Sequence, residues 1–242
     1  MPLQAQQICS LARQDARCPG FTVQSGQLLN MILSDLCQTY DFDLAKKTYN
    51  FNFNPGQLNS LTQAYQDFPS DYLRGVRNEC FYVIQGQPYP MIPCDLAEFD
   101  MFVQQAGMQN FPYYFTVDMS QTPPRALFYD IPSGAYPVTV RYFSQMPDIT
   151  TPETSTVVPW FPNQTYLRRR LGGELMSLTD DERAPDFLSD MEEAHPNGAG
   201  VMLRKYLKMK DDNENRVQTV KLDRRRFGQN WTTLPNTKTI GW

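Results

Sequence analysis

KKTYNFNFNPG, at residues 46–56, is the stretch in which the hydrophobic period of the chain changes. Aromatic residues alternate with asparagines from Tyr49 to Asn54, which predicts a half-buried strand ending at the Asn-Pro-Gly turn. Upstream, leucine and isoleucine recur at spacings of one, three and four within residues 25–40. That spacing predicts an amphipathic helix, with Ser25 as its N-cap. The chain therefore passes from a helical layer into a β layer near residue 46.

Further β-like runs follow, separated by proline and glycine. They are ECFYVIQG, YYFTVD, RALFYDIP and YPVTVRYFSQ, with one helical interruption at DLAEFDMFVQQAG. This pattern predicts an antiparallel β-rich domain over residues 46–146. A connector rich in threonine and proline follows at residues 147–159.

Helical sequence returns after the connector. Helices are predicted to begin near Asn163 and near Ala184 or Pro185, and another follows the His-Pro-Asn-Gly break at residues 195–198. The predicted fold class is α+β. A helical bundle is formed by residues 1–45 with residues 160–212, the β-rich domain is inserted between these halves, and an extended C-terminal tail occupies residues 213–242.

Composition excludes several classes of protein. Of the 242 residues, 41% are hydrophobic and 20% are charged, which is typical of a folded globular chain. The net charge of −4 provides no overall positive field for nucleic acid. Without a signal sequence or an apolar stretch long enough to span a bilayer, we expect neither secretion nor membrane insertion. The five cysteines are widely spaced, so we expect reduced thiols rather than disulfides or a zinc site.

Chemistry-bearing motifs are equally scarce. His195 is the only histidine and is expected in a solvated turn. The acidic runs at residues 179–183 and 190–194 suit helix ends and solvated faces. The common nucleophile, phosphate and metal motifs do not occur. We therefore expect no catalytic, cofactor or metal site, although an enzyme that uses carboxylates alone stays open.

Two arginine triplets suggest interfaces. Residues 168–170 would point in three directions around a helix, so at least one is expected to pair with a nearby acidic group. Residues 224–226 lie in the predicted tail among apolar anchors, a composition that favours ordering on a protein partner. The predicted partner-binding residues are Leu222, Arg224, Arg225, Arg226, Phe227, Trp231 and Trp242. Single-stranded nucleic acid is the alternative partner, disfavoured because residues 211–242 carry only six basic against four acidic side chains.

The order of these features resembles the head-to-tail adaptor proteins of short-tailed bacteriophages. The resemblance extends over most of residues 25–227. Its motifs are GQLLNMILSDL, AYQDFPSDYLRGVRN, YPMIPCDLAEFDMFVQQAGMQNFPYYFTVD, LFYDIPSGAYPVTVRYFSQMPDI, VVPWFPNQTYLRRRLGGELM and VKLDRRRFG.

The resemblance implies a structural virion protein without catalytic activity, made in the host cytoplasm. Such adaptors form a ring, expected to be dodecameric, that joins the portal protein to the tail nozzle. DNA passes through the ring without sequence-specific binding, and no membrane is involved. The resemblance places residues 222–227 at the portal and the β-rich insert on the tail side, whereas the extension beyond Gly228 departs from the family pattern. A β-rich module that binds carbohydrate and another tail-completion protein remain the alternatives.

Overall fold

The α+β class is confirmed by the computed structural model, which describes residues 2–59, 63–103 and 109–218. The helices are α1 (Ala5–Asp15), α2 (Thr22–Thr39), α3 (Leu96–Val103), α4 (Gln164–Leu178), α5 (Ala184–Leu188) and α6 (Ala199–Gln218). The strands are β1 (Lys46–Asn52), β2 (Ala64–Asp67), β3 (Tyr72–Ile84), β4 (Gln87–Pro90), β5 (Ile92–Pro93), β6 (Gln109–Asn110), β7 (Tyr114–Asp118), β8 (Arg125–Tyr129), β9 (Ile131–Pro132) and β10 (Pro137–Ser144).

The strands form two four-stranded sheets and one two-stranded sheet. The first sheet has the order β1-β10-β3-β4 and is antiparallel throughout, as predicted. The second has the order β2-β8-β7-β5, and its β5 runs parallel to β7. The third pairs β6 with β9 in parallel. The expectation of a purely antiparallel domain is therefore wrong at these short strands, because chain direction at such strands is decided by tertiary placement.

Aromatic side chains from both larger sheets form the core between them. The alternation that opens β1 continues inward to Phe53, which is 3% exposed. The Phe53 ring meets the Phe128 ring edge-on, with a centroid distance of 5.0 Å. Phe51 lies 6.0 Å from the same ring. The asparagines between these aromatic residues stay on the solvent face, as the period of two requires.

Helix α2 packs against the first sheet. Buried Cys37 and Ala45 share a cluster with Phe143 of β10, and the Cys37 thiol donates a hydrogen bond to the Ser144 carbonyl. Arg74 of β3 donates to the carbonyl of Gln38 at 2.8 Å. Contacts therefore cross the predicted domain boundary at residue 46, and the division into bundle and insert stays a prediction.

Two helix starts compare differently with the sequence. Helix α4 begins near Asn163 as predicted, and the Asn163 side chain caps it by accepting a hydrogen bond from the Tyr166 amide at 3.0 Å. Ser25 is not an N-cap: α2 begins at Thr22, and the Ser25 hydroxyl donates back to the Thr22 carbonyl at 2.7 Å. Ser25 is fully buried within the helix. Its hydroxyl therefore bonds to a carbonyl of the same helix and not to an unpaired amide at the helix start.

The chain divides into two compact units. The first contains Met1–Leu11 and Pro19–Pro162, with the sheets and α2; the second contains Ala12–Cys18 and the chain from Asn163 onward, with α4, α5 and α6. Helix α6 runs to Gln218, so the first residues of the segment predicted as an extended tail are helical.

Candidate interaction surfaces

A cluster of aromatic rings reaches the surface of the first unit. We call it the aromatic patch, and it consists of Tyr82, Tyr89, Phe111, Tyr113 and Tyr136. Tyr82 and Tyr89 face each other across β3 and β4 and stack with a centroid distance of 5.6 Å and an interplanar angle of 18°. Tyr136 lies 6.2 Å from Tyr82 and 5.7 Å from Phe111. The patch thus joins rings that are distant in sequence.

Most of the patch is open to solvent. Tyr89, Phe111 and Tyr113 are 45%, 46% and 57% exposed, whereas Tyr82 is buried beneath them. Burial raises the pKa of Tyr82, and the neighbouring phenols of Tyr89, Tyr136 and Tyr113 raise it further. The buried Tyr82 phenol therefore stays neutral at physiological pH. The exposed rings above it form a surface that offers both apolar area and hydroxyl groups.

A polar cleft of about 670 Å³ opens beside α2 in the same unit. The Asp71 carboxylate in its wall accepts hydrogen bonds from Lys47 Nζ at 2.5 Å and from the Tyr142 hydroxyl at 3.0 Å. Burial raises the pKa of Asp71, but the bonds from Lys47 and Tyr142 outweigh it, and the pKa is lowered overall. Burial and the hydrogen bond to Asp71 raise the pKa of Tyr142 to about 12. These polar groups are engaged with one another.

The arginine triplet on α4 points in three directions, as predicted. Arg168 pairs with Asp15, Arg170 pairs with Glu174 at 2.7 Å, and Arg169 lies over the Phe187 ring at 3.5 Å from its centroid. The expectation that at least one arginine pairs with an acidic group is confirmed. All three are engaged within the second unit, so the triplet supports the fold of that unit.

Comparison with known families assigns the chain. The family model described as SU10 adaptor protein matches residues 3–206. The chain belongs to the SU10 adaptor protein family. No curated protein matches the sequence. Family membership confirms the resemblance to head-to-tail adaptors and makes the chain a structural component of a bacteriophage.

This SU10 adaptor shows little reactive chemistry in the residues described. His195 Nε2 lies 3.5 Å from an Asp186 carboxylate oxygen, and both side chains are partly exposed. Burial raises the pKa of the Cys80 thiol, and it raises that of Cys94 to about 11. Neutral thiols are poor nucleophiles. Within residues 2–59, 63–103 and 109–218, no cluster of three potential metal ligands occurs.

The residues predicted to bind the portal lie outside the described part of the adaptor. They are Leu222, Arg224, Arg225, Arg226, Phe227, Trp231 and Trp242. They also follow the range matched by the family, which ends at residue 206. In the described helices, none is long and apolar enough to cross a membrane.

Sequence reasoning missed two features of the adaptor. Helix α1 was not predicted, although Ala5, Ile8, Cys9 and Ala12 recur at helical spacing and are all fully buried. Its small apolar side chains give a weak hydropathy signal. The sequence does not indicate the aromatic patch, because its members come from four separate segments of the chain.

Proposed function

We propose that this SU10 adaptor forms a ring that joins the portal to the tail nozzle. The family match across residues 3–206 carries the proposal, since it covers most of the described chain. The ring is expected to be dodecameric, in keeping with the adaptors that the sequence resembles. DNA would pass through it without sequence-specific contacts. The net charge of −4 provides no overall attraction to the phosphate backbone, which fits this passage.

The domain division of the ring subunit is part of the proposal. Residues 1–45 with 160–212 form the layer that packs between copies, residues 46–146 face the tail, and residues 147–159 connect them. An extended segment after α6 reaches the portal, with Leu222, Phe227 and the arginines at 224–226 as its anchors. Arginine suits this role, because its planar guanidinium binds carboxylates with two parallel hydrogen bonds.

The aromatic patch is proposed as the nozzle-binding surface. Exposed tyrosines supply large rigid contact areas together with hydroxyl donors, a composition enriched at protein interfaces. Tyr89 and Tyr113 are the most accessible tyrosines of the patch. Within this proposal the adaptor acts by binding alone, as a component of the virion, in keeping with its family.

Assembly with purified portal tests the proposal. We expect a portal–adaptor complex with cyclic symmetry in electron micrographs and a single stoichiometry by native mass spectrometry. Adaptor that remains monomeric at high concentration with the portal present would count against the ring. The double variant Tyr89→Ala/Tyr113→Ala should still bind portal but lose the nozzle, with Met101→Ala as a control that removes an apolar side chain 70% exposed elsewhere in the same unit.

A carbohydrate-binding module is the second candidate, favoured by the stacked pair Tyr82 and Tyr89 beside exposed Tyr113. Sugar rings stack on such aromatic faces as readily as protein groups do. Binding of host-surface glycans by the isolated adaptor, lost in Tyr89→Ala/Tyr113→Ala, would support this candidate. If the adaptor binds glycans and these substitutions have no effect, the glycan site does not lie on the aromatic patch.

A further inference from the structure

The two edges of the first sheet differ in whether they can accept another strand. Strand β4 forms one edge and pairs with β3 through the turn at Gln85 and Gly86, both of which have positive φ. Strand β1 forms the other edge and pairs with β10. An edge strand offers partners the N–H and C=O groups that point away from its own sheet. The positions of these groups follow from the ladder register.

Edge β4 is blocked by two prolines. The Met91 amide donates to the Cys80 carbonyl at 2.9 Å, so Cys80 and, by alternation, Tyr82 and Ile84 exchange hydrogen bonds with the β4 side. Pro88 and Pro90 lie opposite the intervening residues of β3. Their nitrogens therefore point outward, where they have no hydrogen to donate. Both outward donor positions of this four-residue strand are removed.

Edge β1 is open. The Phe53 amide donates to the Tyr136 carbonyl at 3.0 Å, and alternation along the continuous register then directs Phe51, Tyr49 and Lys47 toward β10. Thr48, Asn50 and Asn52 direct their backbone groups outward, and all three are exposed. Among the residues described, β1 pairs with no other strand. The backbone N–H and C=O groups of these three residues are therefore available to pair with a further strand.

We propose that residues 236–242 of a second copy add to β1 as an edge strand. In NTKTIGW, Thr237 and Thr239 share one parity, whereas Lys238, Ile240 and Trp242 share the other. Paired with β1, the threonines extend the polar face of Thr48 and Asn50. Ile240 and Trp242 then fall on the aromatic face of β1 beside half-buried Tyr49 and Phe51. This assigns Trp242 to a neighbouring adaptor rather than to the portal.

Chain length and charge favour this occupant. The 18 residues from Gln218 to Asn236 can extend about 60 Å, whereas a 242-residue globule has a radius of gyration of about 18 Å, so the segment can reach the next subunit of a ring. Residues 219–242 carry five basic and one acidic side chain, while residues 19–162 carry 13 acidic and six basic. The segment is thus attracted to the unit that contains β1.

The inference rests on the proposed ring and deepens it. Strand addition from each copy to the next is a head-to-tail interface, which closes when the rotation between copies closes. Arginines 224–226 remain free to contact the portal, because they precede the added strand.

Hydrogen exchange of the full-length adaptor bound to portal tests the inference. The amides of Thr48 and Asn50 should exchange on the order of 100-fold more slowly in the complex than in the complex of a variant truncated after Pro235. Asn50→Pro removes one outward donor without touching the β10 ladder, and should weaken contact between copies. Asn50→Ala loses the same bond to Thr139 but keeps the donor, so it should assemble normally.

Two results would overturn the inference and leave the ring standing. One is a closed ring in which both amides exchange at the same rate in the full-length and truncated proteins; the other is a ring unaffected by Asn50→Pro. Protection of these amides in a monomer would place the segment on its own β1 and overturn the assignment to a second copy. Failure of every variant and of the parent chain to form a ring would instead contradict the proposed function.

Discussion

The Arg168 guanidinium on α4 donates two hydrogen bonds to the Asp15 carboxylate, each 2.7 Å long. The pair ties the segment Ala12–Cys18 to the helices of the second unit. Planar guanidinium and carboxylate groups match in this geometry, and their parallel bonds are stronger than those of a single-contact pair. The bridge joins residues 153 positions apart in sequence.

Asp15→Asn should lower the free energy of unfolding by about 1 kcal/mol, because the amide keeps only one acceptor oxygen. One of the two hydrogen bonds from Arg168 is lost and the other loses its charged acceptor, while Arg168 stays partly solvated. Chemical denaturation at pH 7 measures this change. Glu174→Gln is the matched control on the same helix: its pair with Arg170 is similarly exposed but joins residues one turn apart, and its loss should cost less than about 0.5 kcal/mol. Equal losses of stability in the two variants would show that the paired hydrogen bonds to Asp15 contribute no more to stability than the contact between Arg170 and Glu174.

Gly172 and Gly173 on α4 should respond oppositely to alanine. A Cβ on Gly173 would lie 2.6 Å from Leu188 Cδ2 and 3.1 Å from Phe187 Cβ, so the Leu188 side chain or α5 itself must shift, at a cost of about 1–3 kcal/mol. A Cβ on Gly172 would meet the Phe187 ring at 3.6 Å, an ordinary contact. Gly172→Ala should stabilise the helix by up to about 1 kcal/mol. Thermal unfolding of the two variants compares them directly, and a destabilised Gly172→Ala would contradict the packing described.

Asp71 should contribute to the loss of stability in acid. Since its folded-state pKa is lowered, the carboxylate stabilises the folded protein above its unfolded value near 3.8, and this contribution disappears as the pH falls through the folded value. Asp71→Asn should therefore be less stable than the parent at pH 7, and the difference should shrink by pH 3. Urea unfolding at both pH values measures it. Asp148→Asn removes the same charge from the same cleft and is the control for a general effect of removing a carboxylate there.

The arginines at 224–226 should control attachment to the portal. Replacing all three by alanine should weaken binding strongly, whereas lysine should restore it only in part, because lysine keeps the charge but loses the planar fork. Surface plasmon resonance with immobilised portal measures both variants. Arg204→Ala serves as the control, because the Arg204 side chain is 62% exposed and its ion pair with Asp190 is long, at 3.9 Å. If the alanine variant instead loses single-stranded DNA binding with a steep salt dependence, the nucleic-acid alternative replaces this role.

Sequence patterns predicted the elements whose signal is local. The alternation through Tyr49 and Phe51 located β1, and the return of helical sequence after the connector located the start of α4 near Asn163. Ser25 misled because a serine within the first turns of a helix can bond backward as well as cap. The parallel pairs of β5 and β6, and the convergence of Tyr82 with Tyr136, depend on tertiary placement that no local pattern specifies.

Imaging of the adaptor with its portal tests the central claim most directly. Purified full-length adaptor and portal should give a closed ring of adaptor subunits stacked coaxially on the portal in two-dimensional class averages, with one adaptor stoichiometry by native mass. The account is contradicted if the adaptor, at concentrations well above that of the portal, stays monomeric and no additional ring density appears.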